Sequence, residues 1–128
     1  MADKYIQLQS ADGVDNLFPL GKLALLWTNS SPTSSFTAQT ISIANLDDYK
    51  YLIIVVKATT SADTYQSQIL FPSVRHRVIF TGNTLTYRDV DFVANGLSFL
   101  AGRNQSTYGG STTQDNSLVI PAYIYGIR

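Results

Sequence analysis

The sequence contains no cysteine and no glutamate, only one histidine, and few charged residues of either sign. The absence of cysteine excludes disulfides, thiolate chemistry and zinc sites built on thiolates. Charged residues make up 14% of the 128 residues, against about 25% in typical globular domains, and nine basic residues balance nine aspartates. A neutral balance lacks the electrostatic footprint of nucleic-acid-binding proteins, so we expect no nucleic-acid partner.

Long hydrophobic runs are also missing. The longest unbroken apolar run, Leu52 to Val56, is far shorter than the roughly 20 residues that a membrane helix needs. The first residues lack the basic region and the following apolar region of a signal peptide. We therefore expect neither membrane insertion nor a signal peptide.

The residues that are abundant favour strands and turns over helices. Serine and threonine together number 26, asparagine and glutamine add 14, and eight of the 15 aromatic residues are tyrosine. Strong helix formers are correspondingly scarce, whereas β-branched and aromatic residues are typical of strands. This composition predicts a β protein with polar loops.

The hydrophobic pattern alternates with a period of two along most of the chain. It predicts strands at 5–9, 23–28, 36–43, 51–56, 65–71, 75–80, 84–90, 92–100 (a hairpin around Asn95-Gly96) and 118–127. Such short, closely spaced strands are typical of a sandwich or barrel. We predict an all-β fold, an antiparallel β-sandwich of about eight short strands with a jelly-roll-like arrangement. Residues 1–22 are an extended entry segment, and residues 23–128 are the sandwich domain.

Three details of this pattern make specific predictions. The alternation places Leu23, Leu25 and Trp27 on one face, so Trp27 is interpreted as a core residue rather than a binding platform. The segment 51–56 is apolar on both faces and rich in β-branched residues, and it is predicted to be buried on both faces. The segments 10–22 and 102–117 are rich in glycine, proline and polar residues and are predicted to be loops.

Catalytic and metal-binding constellations are weak in this sequence. The single histidine, His76, lies between two arginines on a predicted strand, which favours a structural residue over a catalytic base. Asp89 and Asp91 share one face of a strand at a spacing that suits glycoside hydrolysis, but this arrangement is common at strand ends. Histidine pairs and calcium-loop motifs are absent. We therefore predict no catalytic residues, no metal and no cofactor.

The long polar segment 103–117 is the most informative candidate for binding. It combines amides, one arginine, one aspartate and a tyrosine, a mixture that suits hydroxyl groups and the apolar face of a sugar ring. The alternative is that this segment is polar only because it is a loop. The candidate ligand-binding residues are Arg103, Asn104, Gln105, Tyr108 and Asp115, with Tyr87 and Arg88 on the neighbouring hairpin.

Four segments together carry a resemblance to a known family. They are Leu25–Phe36 (LLWTNSSPTSSF), Ala38–Ile41 (AQTI), Asp48–Val56 (DYKYLIIVV) and Ile120–Ile127 (IPAYIYGI). The chain resembles the C-terminal head domains of bacteriophage tail-fibre or receptor-binding proteins. It is similar in particular to short terminal modules of minor structural proteins in phages and prophages of Gram-positive bacteria.

The resemblance implies a β-sandwich head, a homotrimer about the fibre axis, and non-enzymatic attachment to a host cell-surface polysaccharide or protein receptor. It implies a location on the virion tail, outside the host cell. The low charge and many aromatic residues agree with an oligomer, because apolar surface is left to be covered. Two alternatives remain: a structural virion component such as a fibre cap or capsid decoration, and a polysaccharide hydrolase that uses Asp89 and Asp91.

Overall fold

The computed structural model describes residues 5–9, 15–19, 23–72, 74–81, 84–105 and 109–128, and this part of the chain is all-β. The described residues contain no α-helix, and one 3₁₀ turn spans Leu46–Asp48. The strands are β1 (Tyr5–Gln9), β2 (Asp15–Pro19), β3 (Leu23–Thr28), β4 (Gln39–Ser42), β5 (Tyr51–Thr59), β6 (Tyr65–Leu70), β7 (His76–Thr81), β8 (Leu85–Val93), β9 (Gly96–Phe99), β10 (Arg103–Gln105), β11 (Thr112–Gln114) and β12 (Leu118–Ile127).

Ten of these strands form two antiparallel sheets. The first sheet has the order β3-β12-β5-β6. The second has the order β11-β10-β8-β9-β4, and β7 pairs with the other edge of the long strand β8. Strands β1 and β2 pair with each other in a separate antiparallel ladder. The prediction of an antiparallel, all-β chain is therefore confirmed.

The hydrophobic core draws side chains from one face of each sheet. Alternate residues in the first half of β5 are buried, and β12, β7, β8 and β9 also contribute buried side chains. They form one cluster, which includes Leu52, Ile54, Ile124, Val78, Val90, Leu97 and Phe99. Burial of each such aliphatic or aromatic side chain contributes roughly 1.5–3 kcal/mol. The two sheets thus enclose a shared core in a sandwich-like arrangement.

Two predicted loops contain strands. Within the segment 10–22, residues Asp15–Pro19 pair with β1, and proline is tolerated at the end of an edge strand because no ladder donor is needed there. Within 102–117, β10 and β11 pair with each other, and β10 also extends the ladder of β8. Short polar strands of this kind lack the hydrophobic alternation by which strands are recognised. The division of the chain at residue 22 stays a prediction.

The prediction that Leu23, Leu25 and Trp27 share one face is wrong. The register of β3 against β12 shifts at Leu26, so that Leu25 lies opposite Tyr125 whereas Trp27 lies opposite Ile124. A bulge adds one residue to the strand and thereby reverses the alternation beyond it. Leu23 and Leu25 are exposed, and Trp27 packs against the core from the other face.

The prediction that 51–56 is buried on both faces is also wrong. Leu52, Ile54 and Val56 are fully buried, whereas the alternate residues Tyr51 and Ile53 are only partly covered. β5 also continues to Thr59, beyond the predicted end of the strand. The second face of this sheet is therefore apolar without being part of the core.

The hairpin predicted around Asn95-Gly96 is confirmed, but the glycine has a different role from a turn residue. Val93 pairs with Gly96, so the two-residue turn is Ala94–Asn95. Asn95 adopts the left-handed conformation, with φ 56°. Gly96 is the first residue of β9, where an added Cβ would collide with the carbonyl oxygen of Ile41 on β4. Glycine is required here because two backbones approach closely.

Candidate ligand-binding site

The structure places three of the predicted ligand-binding residues side by side on β10. Arg103, Asn104 and Gln105 pair with β8 on one side and with β11 on the other. Arg103 lies directly opposite Tyr87, and directly opposed residues of a ladder share one face of the sheet. These side chains are therefore carried by a strand inside the sheet rather than by a free loop. Tyr108 lies outside the described residues.

Local hydrogen bonds hold the polar groups of this β10–β11 hairpin. Gln105 Nε2 donates to the carbonyl of Gly110 at 2.6 Å. Asp115 Oδ1 accepts from the backbone N–H and the hydroxyl of Ser117, which lowers the pKa of this carboxyl. The Oδ1 atom of Asn104 is buried and has no partner among the described residues. Gln105 thus fixes the backbone within the hairpin, and Asp115 fixes the turn that follows β11.

Arg88 was predicted as a ligand-binding residue, but the structure places it in the interior. Its side chain is 1% exposed, and its nitrogens donate to the backbone carbonyls of Val119, Leu100 and Leu118 at 2.8–2.9 Å. Burial lowers the pKa of this guanidinium to about 10, so it remains protonated at neutral pH. Arg88 is unavailable to an external ligand, and it instead links β8 to the start of β12 and to the residue that follows β9.

Tyr87 is also poorly placed to stack on a ligand. Its side chain is buried, and the guanidinium carbon of Arg77 lies 4.0 Å from the centre of its ring. A cation over the ring face occupies the surface that a sugar ring would use. Tyr87 therefore supports the sheet beside Arg103 instead of presenting a free aromatic face.

A polar cleft opens between β3 and β4, at one edge of the two sheets. It has a volume of about 300 Å³, and we call it the Trp27 cleft. The indole of Trp27 forms one wall and packs edge-on against Phe36, with ring centroids 6.1 Å apart. The remaining lining is mostly hydroxyl and amide groups, from Asn29, Ser30, Ser31, Ser35 and Gln39. None of the lining residues is charged.

The loop that frames the Trp27 cleft is fixed by hydrogen bonds at both ends. Asn29 Nδ2 donates to the carbonyl of Pro121, and Asn29 Oδ1 accepts from the backbone N–H of Ser31, both at 2.8 Å. The buried ammonium of Lys57 donates to the carbonyl of Pro32 at 3.1 Å. A loop that is already ordered loses little conformational entropy on binding, which favours affinity.

A second, wider depression adjoins the Trp27 cleft. Its volume is about 490 Å³, and its lining includes Arg103, Phe99 and Ser98. The two depressions share Gln39, on the edge strand β4. Of the predicted ligand-binding residues described, Arg103 is the one that lines either depression.

Sequence reasoning missed Trp27, Asn29 and Gln39 as site residues. The available signal was the polar run that directly follows Trp27, which places an aromatic ring beside amides and hydroxyls. The bulge at Leu26 concealed it, because strict alternation assigned Trp27 to the same face as Leu25. Trp27 in fact packs against the core and also lines the Trp27 cleft.

The chemistry of this cleft suits an uncharged, hydroxyl-rich ligand. Amides donate and accept hydrogen bonds, hydroxyls do both, and an indole covers the apolar C–H face of a sugar ring. A charged ligand would find no opposite charge in the Trp27 cleft, although Arg103 borders the neighbouring depression. The lining of the Trp27 cleft thus offers hydrogen-bonding groups and an aromatic ring but no charge.

The residues considered for catalysis are engaged in structural contacts. His76 Nε2 lies 2.8 Å from the backbone nitrogen and 3.0 Å from the carbonyl oxygen of Phe71. Arg77 donates two hydrogen bonds to Asp89, and Arg75 donates two to Asp91. The hydrogen bond from Arg75 is the main cause that lowers the pKa of Asp91, whereas a general acid needs a raised pKa.

The described residues include no cluster of three or more histidine, cysteine or acidic side chains that could hold a metal ion. This same part of the chain contains no helix of sufficient length and hydrophobicity to cross a membrane. Fold and cleft together define an all-β chain with a small polar groove between sheet edges. Comparison with family models, curated proteins and solved structures found no significant match.

Proposed function

We propose that this chain is the non-enzymatic receptor-binding head of a bacteriophage tail fibre or minor structural protein, and that it attaches to a host cell-surface glycan. The observation that carries the proposal is the Trp27 cleft, where one indole lies beside amides and hydroxyls with no charge. A protein receptor is the alternative ligand. The sequence resemblance described above supports the same class of function and a location on the virion tail.

The proposal includes a jelly-roll-like sandwich and a homotrimer. A shallow site for one or two sugar rings binds weakly by itself. Several copies on one rigid particle raise the effective affinity without new contacts, because each bound site increases the local concentration of the next. A neutral site also keeps its affinity when the salt concentration of the surroundings changes.

Trp27 provides a direct test, because it is the only tryptophan of the chain. We expect its intrinsic fluorescence to change on titration with a neutral wall polysaccharide from a panel of Gram-positive bacteria. Gln39→Ala removes one amide from the cleft, and we expect roughly tenfold weaker binding, which corresponds to about 1.4 kcal/mol for one hydrogen bond.

The matched control is Gln114→Ala, an exposed glutamine on β11 that lines neither depression. We expect this variant to bind like the unmodified chain. If no polysaccharide of the panel changes the fluorescence, or if both glutamine variants lose affinity equally, the Trp27 cleft is not the binding site.

A structural virion component, such as a fibre cap or capsid decoration, is the second candidate. It is favoured by a wide apolar surface on the sheet β3-β12-β5-β6, which is suited to assembly. Deletion of the protein would then weaken the particle without changing adsorption to the host. A hydrolase is less well supported because Asp89 and Asp91 are both ion-paired, and unchanged polymer length in a reducing-end assay would exclude it.

A further inference from the structure

The outer face of the sheet β3-β12-β5-β6 carries no exposed charge. Its strands contain a single ionisable cation, Lys57, and the ammonium of that residue is buried against the carbonyls of Pro32 and Thr60. The residues that point away from the core are instead aliphatic, aromatic or hydroxyl-bearing. We call this surface the apolar face, and its members are Leu23, Leu25, Tyr123, Tyr125, Ile127, Tyr51, Ile53, Val55, Tyr65, Ser67 and Ile69.

The register aligns these side chains into continuous rows. One row crosses the whole sheet through Leu25, Tyr125, Ile53 and Ile69, each directly opposite the next. The two ends of this row are well exposed, at 56% for Leu25 and 48% for Ile69. Such a row is contiguous hydrophobic surface rather than scattered single residues.

The opposite side of the molecule has the chemistry of a solvated surface. On the outer face of β7 and β8, Arg77 pairs with Asp89 and Arg75 pairs with Asp91. The chain places four charged residues on the outer face of this second sheet. The lack of charge on the apolar face is therefore a property of that surface and not a consequence of the composition of the chain.

We infer that each copy of the chain buries its apolar face against a neighbouring copy. In the proposed homotrimer the three apolar faces would meet around the three-fold axis, and faces without charge can meet there without like-charge repulsion and without burying an unpaired ion. Sheet faces also pack well on each other, with side chains interdigitating across about 10 Å. A different protein would need a charge-free surface of its own, whereas a second copy of this chain has the same apolar face.

The apolar face has the area of a small oligomer contact. Three of its four strands carry three outward residues and β3 carries two, and together they span roughly 19 Å by 20 Å. The projected area of about 380 Å² is smaller than the roughly 800 Å² that each partner buries in a standard interface, so the apolar face would form the centre of a small contact. Phe71 and Val74, both exposed beyond the end of β6, extend the surface further. This inference names the contact surface of the oligomer and to that extent rests on the proposed function.

The test is the mass of the full chain in solution, measured by light scattering after size exclusion. We expect a multiple of the chain mass of 14.1 kDa. Leu25→Lys and Ile69→Lys add a charge at exposed positions and should reduce the mass to that of one chain. Ile79→Lys is the matched control, because Ile79 is an exposed isoleucine on the ion-paired side, and this variant should keep the oligomer.

A second measurement decides the question if a lysine variant fails to fold. The chain has no cysteine, so Tyr123→Cys introduces a single thiol at an exposed position of the apolar face. Mild oxidation should give disulfide-linked pairs with Tyr123→Cys and none with Ile79→Cys.

A mass of one chain at every concentration would overturn the inference. Equal dissociation by Ile79→Lys and Leu25→Lys, or no cross-linking of Tyr123→Cys, would also overturn it. Glycan binding is read separately by Trp27 fluorescence. An oligomer without glycan binding would refute the proposed ligand and leave the contact surface standing.

Discussion

Arg88 is a buried cation that has no carboxylate partner among the described residues, and its charge is instead shared among backbone carbonyls. Three of these carbonyls belong to two segments, Leu100 after β9 and Leu118–Val119 at the start of β12. Val119 has φ 49°, which is a strained conformation for a β-branched residue. The Arg88 hydrogen bonds to Leu118 and Val119 therefore help to hold the strained backbone at the start of β12 in place.

We expect Arg88→Met to lower the free energy of unfolding by about 3 kcal/mol, because several buried carbonyls would lose their donors. Arg88→Lys should also destabilise the protein, since one ammonium cannot reproduce the planar fork. Urea unfolding measures both effects. Arg103→Met, at a partly exposed arginine, is the control and should change stability by less than about 0.5 kcal/mol; a similar loss in both variants would contradict the assigned role.

Gly96 tests the close approach of β9 to β4. We expect Gly96→Ala to destabilise the fold by about 2 kcal/mol, because the new methyl group would push against the backbone of Ile41. Gly109→Ala is a useful comparison: its φ of 75° disfavours alanine, but no atom of the described residues lies within 4 Å of the added methyl group, so about 1 kcal/mol is expected. Thermal unfolding of the two variants in parallel checks the order, and the reverse order would show that β4 moves freely.

Among the elements, the β7–β8 hairpin carries the two arginine–aspartate pairs on its outer face. The folded-state pKa of Asp91 is below its ordinary value of 3.8, chiefly because of the hydrogen bond from Arg75. The ionised carboxylate therefore stabilises the folded state above the ordinary pKa. That contribution is lost as the pH falls through the lowered, folded-state pKa.

We expect Asp91→Asn to lower the urea midpoint slightly at neutral pH, with a difference that disappears at acidic pH and shrinks in high salt. Gln114→Ala, at an exposed and uncharged residue of β11, should show neither dependence. A difference between Asp91→Asn and the unmodified chain that persisted at low pH would have to come from packing rather than from the ion pair.

Sequence patterns located most strands because alternation of apolar and polar residues survives wherever one face is buried. They failed at features that depend on neighbours in space. The bulge at Leu26 is set by pairing with β12, and it moved Trp27 from the predicted face into the wall of the cleft. The short strands β10 and β11 exist through pairing with β8, not through hydrophobic pattern. Arg88 shows the same limit, since its interior position depends on carbonyls about 30 residues away along the chain.

At the scale of the whole molecule, the two outer surfaces differ in kind: ion pairs lie on one sheet and the apolar face lies on the other. If copies associate through the apolar face, folding and association are linked, and stability depends on protein concentration. We expect the thermal midpoint to rise as the concentration increases over two orders of magnitude. With Leu25→Lys the midpoint should stay constant, and a constant midpoint for the unmodified chain would contradict the proposed assembly.

The buried ammonium of Lys57 ties β5 to the loop that frames the Trp27 cleft. Amine-acylating reagents can reach this nitrogen only after the loop has lifted and the bonds to Pro32 and Thr60 have broken. The rate at which Lys57 is acylated, compared with that of the exposed Lys50, therefore measures how often the loop beside the Trp27 cleft opens. A saccharide bound in the Trp27 cleft would lower the acylation rate of Lys57.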